Sequence, residues 1–81
     1  MLLAADIRNG HTVLGLLDGP ELVEHWRVST DERRSADEWA VLVRGLVGDR
    51  PSSGAVTGVA VAATVPAVLR EWRSMMAVHF A

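Results

Sequence analysis

The residues best suited to chemistry sit near the start of the chain, where Asp6 stands three positions ahead of Asn9-Gly10. Apolar runs flank them, Leu2-Leu3-Ala4-Ala5 before and Val13-Leu14-Gly15-Leu16-Leu17 after. Asn-Gly between two apolar runs is a strong hairpin signal, and the expected turn has positive φ at both central positions. Exposed turn amides suit phosphate oxygens, and an acid beside them meets Mg²⁺ or its waters instead of repelling the phosphate. That points to phosphoryl transfer, with Asp6 on the metal side and Asn9 and Gly10 as the phosphate cradle. The plainer reading of Asp6 is a strand-end acid capping its own turn. His11 can donate to phosphate, although a half-exposed strand histidine is the better explanation of it. His25 and His79 show no metal-ligand spacing with each other or with His11, and both read as structural.

Composition narrows the classes. Eighty-one residues make at most one small domain, and a chain of that size buries only about 60–65% of its unfolded surface. Hydrophobic residues make up 49%, too many for a disordered chain. No apolar run approaches the roughly 20 residues of a spanning helix. Cysteine is absent, which removes disulfides, thiolate metal sites and cysteine nucleophiles. No basic leader precedes the first strand pattern, so a signal peptide is not expected and a cytoplasmic location follows by default. A net charge of −2 argues against nucleic acid as a partner. All eight basic residues are arginine, and without lysine there is no Walker A loop.

The elements that must position the hairpin follow from periodicity. Leu2 to Arg8 reads as a strand, apolar on both faces and therefore central in a sheet. Thr12 to Leu17 reads as a second strand, and Asp18-Gly19-Pro20 as a turn. Glu21 to Thr30 alternates, with Leu22, Trp26 and Val28 on one side and Val23, His25, Arg27 and Ser29 on the other, as an edge strand does. The charged loop Asp31-Glu32-Arg33-Arg34 leads to Ser35, whose partner Glu38 completes a capping box. Ala36, Trp39, Ala40, Val43, Leu46 and Val47 form a helical stripe, and Gly48 is placed to end that helix in the left-handed conformation. Asp49 to Ala55 reads as a surface loop. Val56 to Thr64 reads as a buried parallel strand, with Pro66 opening a last helix whose apolar face is Leu69, Trp72, Met76 and Phe80. The expected architecture is α/β in the order β1-β2-β3-α1-β4-α2, an antiparallel meander with β4 parallel to β1. That order matches the opening of the ribonuclease H-like fold, here as a half-domain over residues 1–81. Asp6, Asn9, Gly10, Thr64 and the Pro66 helix N-terminus then share one edge, and the helix end favours an anion there.

The residues also resemble a known family, the type III pantothenate kinases. Met1 to Asp18 is similar to that family's D-x-G-N-T phosphate motif and the H-T-V-L-G-L run that follows. The likeness continues through His25-Trp26-Arg27-Val28-Ser29-Thr30, Ala36-Asp37-Glu38-Trp39 and Ala63-Thr64-Val65-Pro66, the last similar to an S-V-V-P segment. It covers essentially the whole chain, which corresponds to the amino-terminal portion of a family member. The resemblance implies an actin-like ATPase domain, phosphorylation of pantothenate by ATP on the route to coenzyme A, Mg²⁺, a monovalent cation (K⁺ or NH₄⁺) and a homodimer. It implies phosphate binding by Asp6, Arg8, Asn9, Gly10, His11 and Thr12, metal binding by Asp6, and a place for Thr64 at the edge of the site. No counterpart of the family's later G-A-D-R segment, with its proposed catalytic aspartate, occurs in this sequence, so no catalytic residue is assigned. Arg8 stands where the family usually has glycine, and Gly10 where it has threonine or serine. Gly10 keeps the turn and loses a hydroxyl contact worth about 1 kcal/mol.

Three other readings compete. A ribonuclease H-like nuclease needs several acids along the catalytic edge, yet none occurs from Ser52 through Arg70. A sugar kinase would share the hairpin and differ downstream. A catalytically inactive fragment acting as a binding or dimerisation module accounts for the absent G-A-D-R segment.

Overall fold

The computed structural model describes residues 1–48 and 56–79. The chain runs β1 (Leu2–Ile7), β2 (His11–Asp18), β3 (Glu21–Ser29), α1 (Ala36–Val47), β4 (Gly58–Ala63), α2 (Pro66–His79). The strands form one sheet in the order β3-β2-β1-β4. β1 is central, antiparallel to β2 and parallel to β4. This is the α/β order and pairing expected from the sequence. The parallel pair requires a crossover, and α1 supplies it.

One core joins the sheet to both helices. Leu3, Ala5 and Ile7 of β1 and Leu14 of β2 pack with Trp39, Ala40, Val43 and Val47 of α1 and with Val68, Trp72 and Met75 of α2. The Trp39 and Trp72 rings meet at 5.3 Å between centroids, tilted by 54°. Neither indole N–H has a hydrogen-bond partner, at a cost of about 1–3 kcal/mol each. Burying such a ring contributes about 4–6 kcal/mol, from roughly 150–250 Å² at about 25 cal/mol per Å². Burial wins. The capping box forms in full, with the Glu38 N–H donating to Ser35 Oγ (3.2 Å) and the Ser35 N–H donating to Glu38 Oε1 (2.9 Å). Among the described residues no helix is long and apolar enough to cross a membrane.

Several details depart from the periodicity. Both helices lie on one side of the sheet, so Ala60 and Ala62 of β4 are exposed and the strand is an edge among the described residues. Leu22 does not share a side with Trp26 and Val28. Leu16 pairs with Glu24 and Leu17 with Leu22, skipping Val23, and a one-residue bulge reverses the alternation beyond it. Leu22 therefore lies on the uncovered face, over Gly15. The buried stripe of α2 is Val68, Trp72 and Met75, with Met76 packed at its margin and Leu69 only half-buried. Phe80 and the Asp49 to Ala55 loop fall outside the described residues. Gly48 has φ 71° but ψ −171°, an extended positive-φ conformation open essentially to glycine alone and not the left-handed helical one.

Ser35→Ala is expected to cost about 1 kcal/mol and Trp72→Ala about 3–5 kcal/mol, both read from urea unfolding followed by circular dichroism. The exposed β4 edge predicts concentration-dependent self-association of the 81-residue chain, visible by sedimentation velocity. A single monomeric species at high concentration contradicts it.

Candidate functional site

The site begins with the register of β1. Asp6 pairs with Val13 of β2 on one side and Ala62 of β4 on the other. Its side chain is 47% exposed on the uncovered face. Residues two apart on a strand share a face, so Arg8 projects beside it. The Arg8 Nε–H donates to both carboxylate oxygens, at 3.2 Å to Oδ1 and 3.1 Å to Oδ2. The turn follows at once. The Arg8 N–H donates to the His11 carbonyl at 3.0 Å, and Gly10 has φ 87° while Asn9 does not have positive φ. The expectation of positive φ at both positions is thus corrected: the sign pattern is negative then positive, which asks left-handed freedom of Gly10 alone. The N–H groups of Asn9 and Gly10 make no hydrogen bond to any described residue, and both residues are exposed. Two adjacent amides without a partner among the described residues are open to an anion.

The turn is held from behind by a hydroxyl chain. Thr12 is fully buried, and its Oγ1 lies 2.7 Å from Thr30 Oγ1. Thr30 Oγ1 in turn donates to the Arg8 carbonyl at 2.7 Å. A hydroxyl has one proton, so with the Thr30 proton on Arg8 it is Thr12 that donates to Thr30. The Thr30 N–H also donates to the Gly10 carbonyl at 3.2 Å. Carbonyls on both sides of Asn9 are tied to the end of β3, and the amides between them stay free. Thr12, a phosphate-contact candidate, lies behind the turn as part of its support. Thr30 was not singled out by the sequence. The pairing of His11 with Ser29 places it beside the turn, and that register was its signal.

The remaining candidates divide. Thr64 donates from its N–H to the Ile7 carbonyl at 3.0 Å, with Oγ1 at 3.4 Å from the same oxygen. It is exposed at the end of β4, on the same sheet edge as Asp6, Asn9 and Gly10, and Pro66 opens α2 two residues later. The expected convergence holds for these residues. His11 is half-buried at the first position of β2. Arg33 and Arg34 are committed elsewhere. The Arg33 N–H and Nε–H donate to Asp31 Oδ1 (2.9 and 3.2 Å), and these bonds, the backbone one first, hold the Asp31 carboxyl below its ordinary value. Arg34 donates to the Ser29 carbonyl at 3.1 Å and lies 4.6 Å over the Trp39 ring. His79 Nε2 lies 3.0 Å from Asp37 Oδ1, linking the end of α2 to the start of α1.

The donor set bears on a metal at Asp6. Among the described residues no three His, Cys, Asp or Glu side chains come together to hold an ion. Both Asp6 oxygens already face the Arg8 guanidinium. A divalent ion about 4 Å from that group is repelled by about 2 kcal/mol even at the dielectric constant of water. As arranged, Asp6 is paired with Arg8, and a metal held through it has to displace that guanidinium.

Known proteins resemble this chain closely. The sequence profile of the family described as type III pantothenate kinase matches residues 2–81. A type III pantothenate kinase of a Nocardioides species is 57% identical over 79 residues, covering 98% of this chain and 30% of that protein. Those of Streptomyces griseus and Acidothermus cellulolyticus are each 56% identical over 80 residues, covering 93% and 99% of this chain and 30% and 31% of their own. The chain therefore spans about 30% of the length of these relatives.

The hydroxyl chain predicts strong coupling. Thr30→Val strands the buried Thr12 hydroxyl and is expected to cost about 1–3 kcal/mol. The Thr12→Val, Thr30→Val double variant should lose less than the sum of the single losses, because the buried Thr12 hydroxyl is then no longer stranded, while the exposed Arg8 carbonyl loses Thr30 in both Thr30 variants. Urea midpoints of the four proteins decide it, and strict additivity would show that the two hydroxyls do not depend on each other.

Proposed function

The chain belongs to the type III pantothenate kinase family, and we propose that it supplies the first phosphate-binding hairpin of an ATP:pantothenate phosphotransferase. The observation that carries this reading is the pair of amides at Asn9 and Gly10 that have no partner among the described residues, at the end of the central strand beside Asp6 and Thr64. In phosphoryl transfer the protein chiefly positions the reacting groups and stabilises charge on the transferred phosphoryl. A pinned turn suits that work, since its donors are aimed before the ligand arrives. The γ-phosphoryl of ATP passes to the pantothenate hydroxyl and ADP leaves. This chain contributes the grip on the phosphate tail. The acid that activates the hydroxyl is assigned to the G-A-D-R segment of the longer relatives, which this sequence does not contain.

The homodimer, the cytoplasmic location and pantothenate itself are part of the same proposal and concern the full-length protein. The Mg²⁺ and monovalent cation implied by the resemblance accompany the nucleotide, and neither is given a ligand in this chain.

Titration of the ¹⁵N-labelled chain with millimolar ATP is expected to shift the amides of Asn9, Gly10 and His11 first. Gly10→Val forces a branched side chain onto φ 87°, a strain of about 1–3 kcal/mol, and should abolish the response. No shift at the turn with millimolar ATP contradicts the proposal.

A further inference from the structure

We infer that Arg8 is the resident counter-ion of Asp6, and that the hairpin takes a phosphate group directly on the Arg8 guanidinium with no divalent cation on Asp6. The inference rests on reading the hairpin as the seat of a nucleotide's phosphate tail, and it changes how that seat works. Three observations carry it. The Arg8 Nε–H spans both oxygens of Asp6, which draws the guanidinium to the carboxylate. Nε is spent, but the Nη1 and Nη2 groups donate no hydrogen bond to any described residue, leaving four N–H donors for a ligand. The Arg8 side chain is 60% exposed, Arg8 immediately precedes Asn9 and Gly10, whose amides have no partner among the described residues, and the space beside Gly10 is open.

A guanidinium fork matches two oxygens of a phosphate, and such bidentate charged bonds are the strong ones. Asp6 thus acts as a positioning residue that orients a tethered cation. The cation is supplied by the chain at the position where the resembled family usually has glycine. A bound divalent ion at Asp6 would have to displace Arg8 first. Removing Arg8 should reverse the preference, freeing the carboxylate for metal and making the turn depend on it. The ligand chemistry is a terminal or bridging phosphate of a nucleoside triphosphate, bound without metal at this acid.

The test has two independent arms on the 81-residue chain. In the first, ATP is titrated with EDTA present and then with Mg²⁺. The wild-type chain should bind with similar affinity in both. Arg8→Gly and Arg8→Gln should each lose about tenfold or more in EDTA, the size of one charge-assisted contact, and recover with Mg²⁺. The glutamine variant guards against a loosened turn. In the second arm Mn²⁺ alone is added and paramagnetic broadening of the Asp6 resonances is followed. It should be weak in wild type and strong in both variants. Binding of ATP by wild type only with Mg²⁺, or equal broadening of Asp6 in all three proteins, overturns the inference. If none of the proteins binds ATP, the phosphate-seat reading fails and this use of Arg8 fails with it; the Mn²⁺ arm still shows whether Arg8 shields Asp6.

Discussion

The structure depends on β1 being paired along both sides, antiparallel to β2 and parallel to β4. Parallel neighbours end at the same edge of a sheet, so the turn leaving β1 and the end of β4 are forced together. That single constraint brings Asn9, Gly10, Asp6 and Thr64 to one place. It also commits α1 to the crossover and seats both helices on one face, where Trp39 and Trp72 complete the core. The other face carries the small residues Ala4, Gly15, Ala60 and Ala62, the side chains of Val13, Leu17, Leu22 and His25, and the charged pair.

On that edge two kinds of polar contact do different jobs. The chain from Thr12 through Thr30 to the Arg8 carbonyl starts at a fully buried hydroxyl and runs out to the surface, so its inner bond is the costlier one to break. It makes the turn rigid. The Asp6–Arg8 pair is half exposed and adds little to stability. Its weight lies in electrostatics, because it decides whether an incoming anion meets a carboxylate, a metal or a guanidinium. One family sequence can thus keep the cradle and change what stands next to it.

Much of this was legible in the sequence because strong local signals agreed. Asn9-Gly10 and Asp18-Gly19-Pro20 fixed the meander, the Ser35/Glu38 box fixed the start of α1, and Pro66 fixed the start of α2. What stayed hidden depends on neighbours. The bulge that moves Leu22 is a mismatch between two strands, which neither strand alone encodes. The α2 face was turned by one residue because Val68, Leu69, Met75 and Met76 all allow a helical stripe, and only contact with α1 and the sheet chooses among them. Of the site, Asp6 and the turn could be read, whereas Thr30 could not, since its role is a pairing register. The orientation of Arg8 was equally closed, because a side chain beside an acid can bind it or reach past it.

A crystal structure of this chain with ATP tests the central claim most directly. The account predicts phosphate oxygens on the Asn9 and Gly10 amides and on the Arg8 guanidinium, with Asp6 still bonded to Arg8. Phosphates seated elsewhere, or a metal ion on Asp6 with Arg8 swung away, would contradict it.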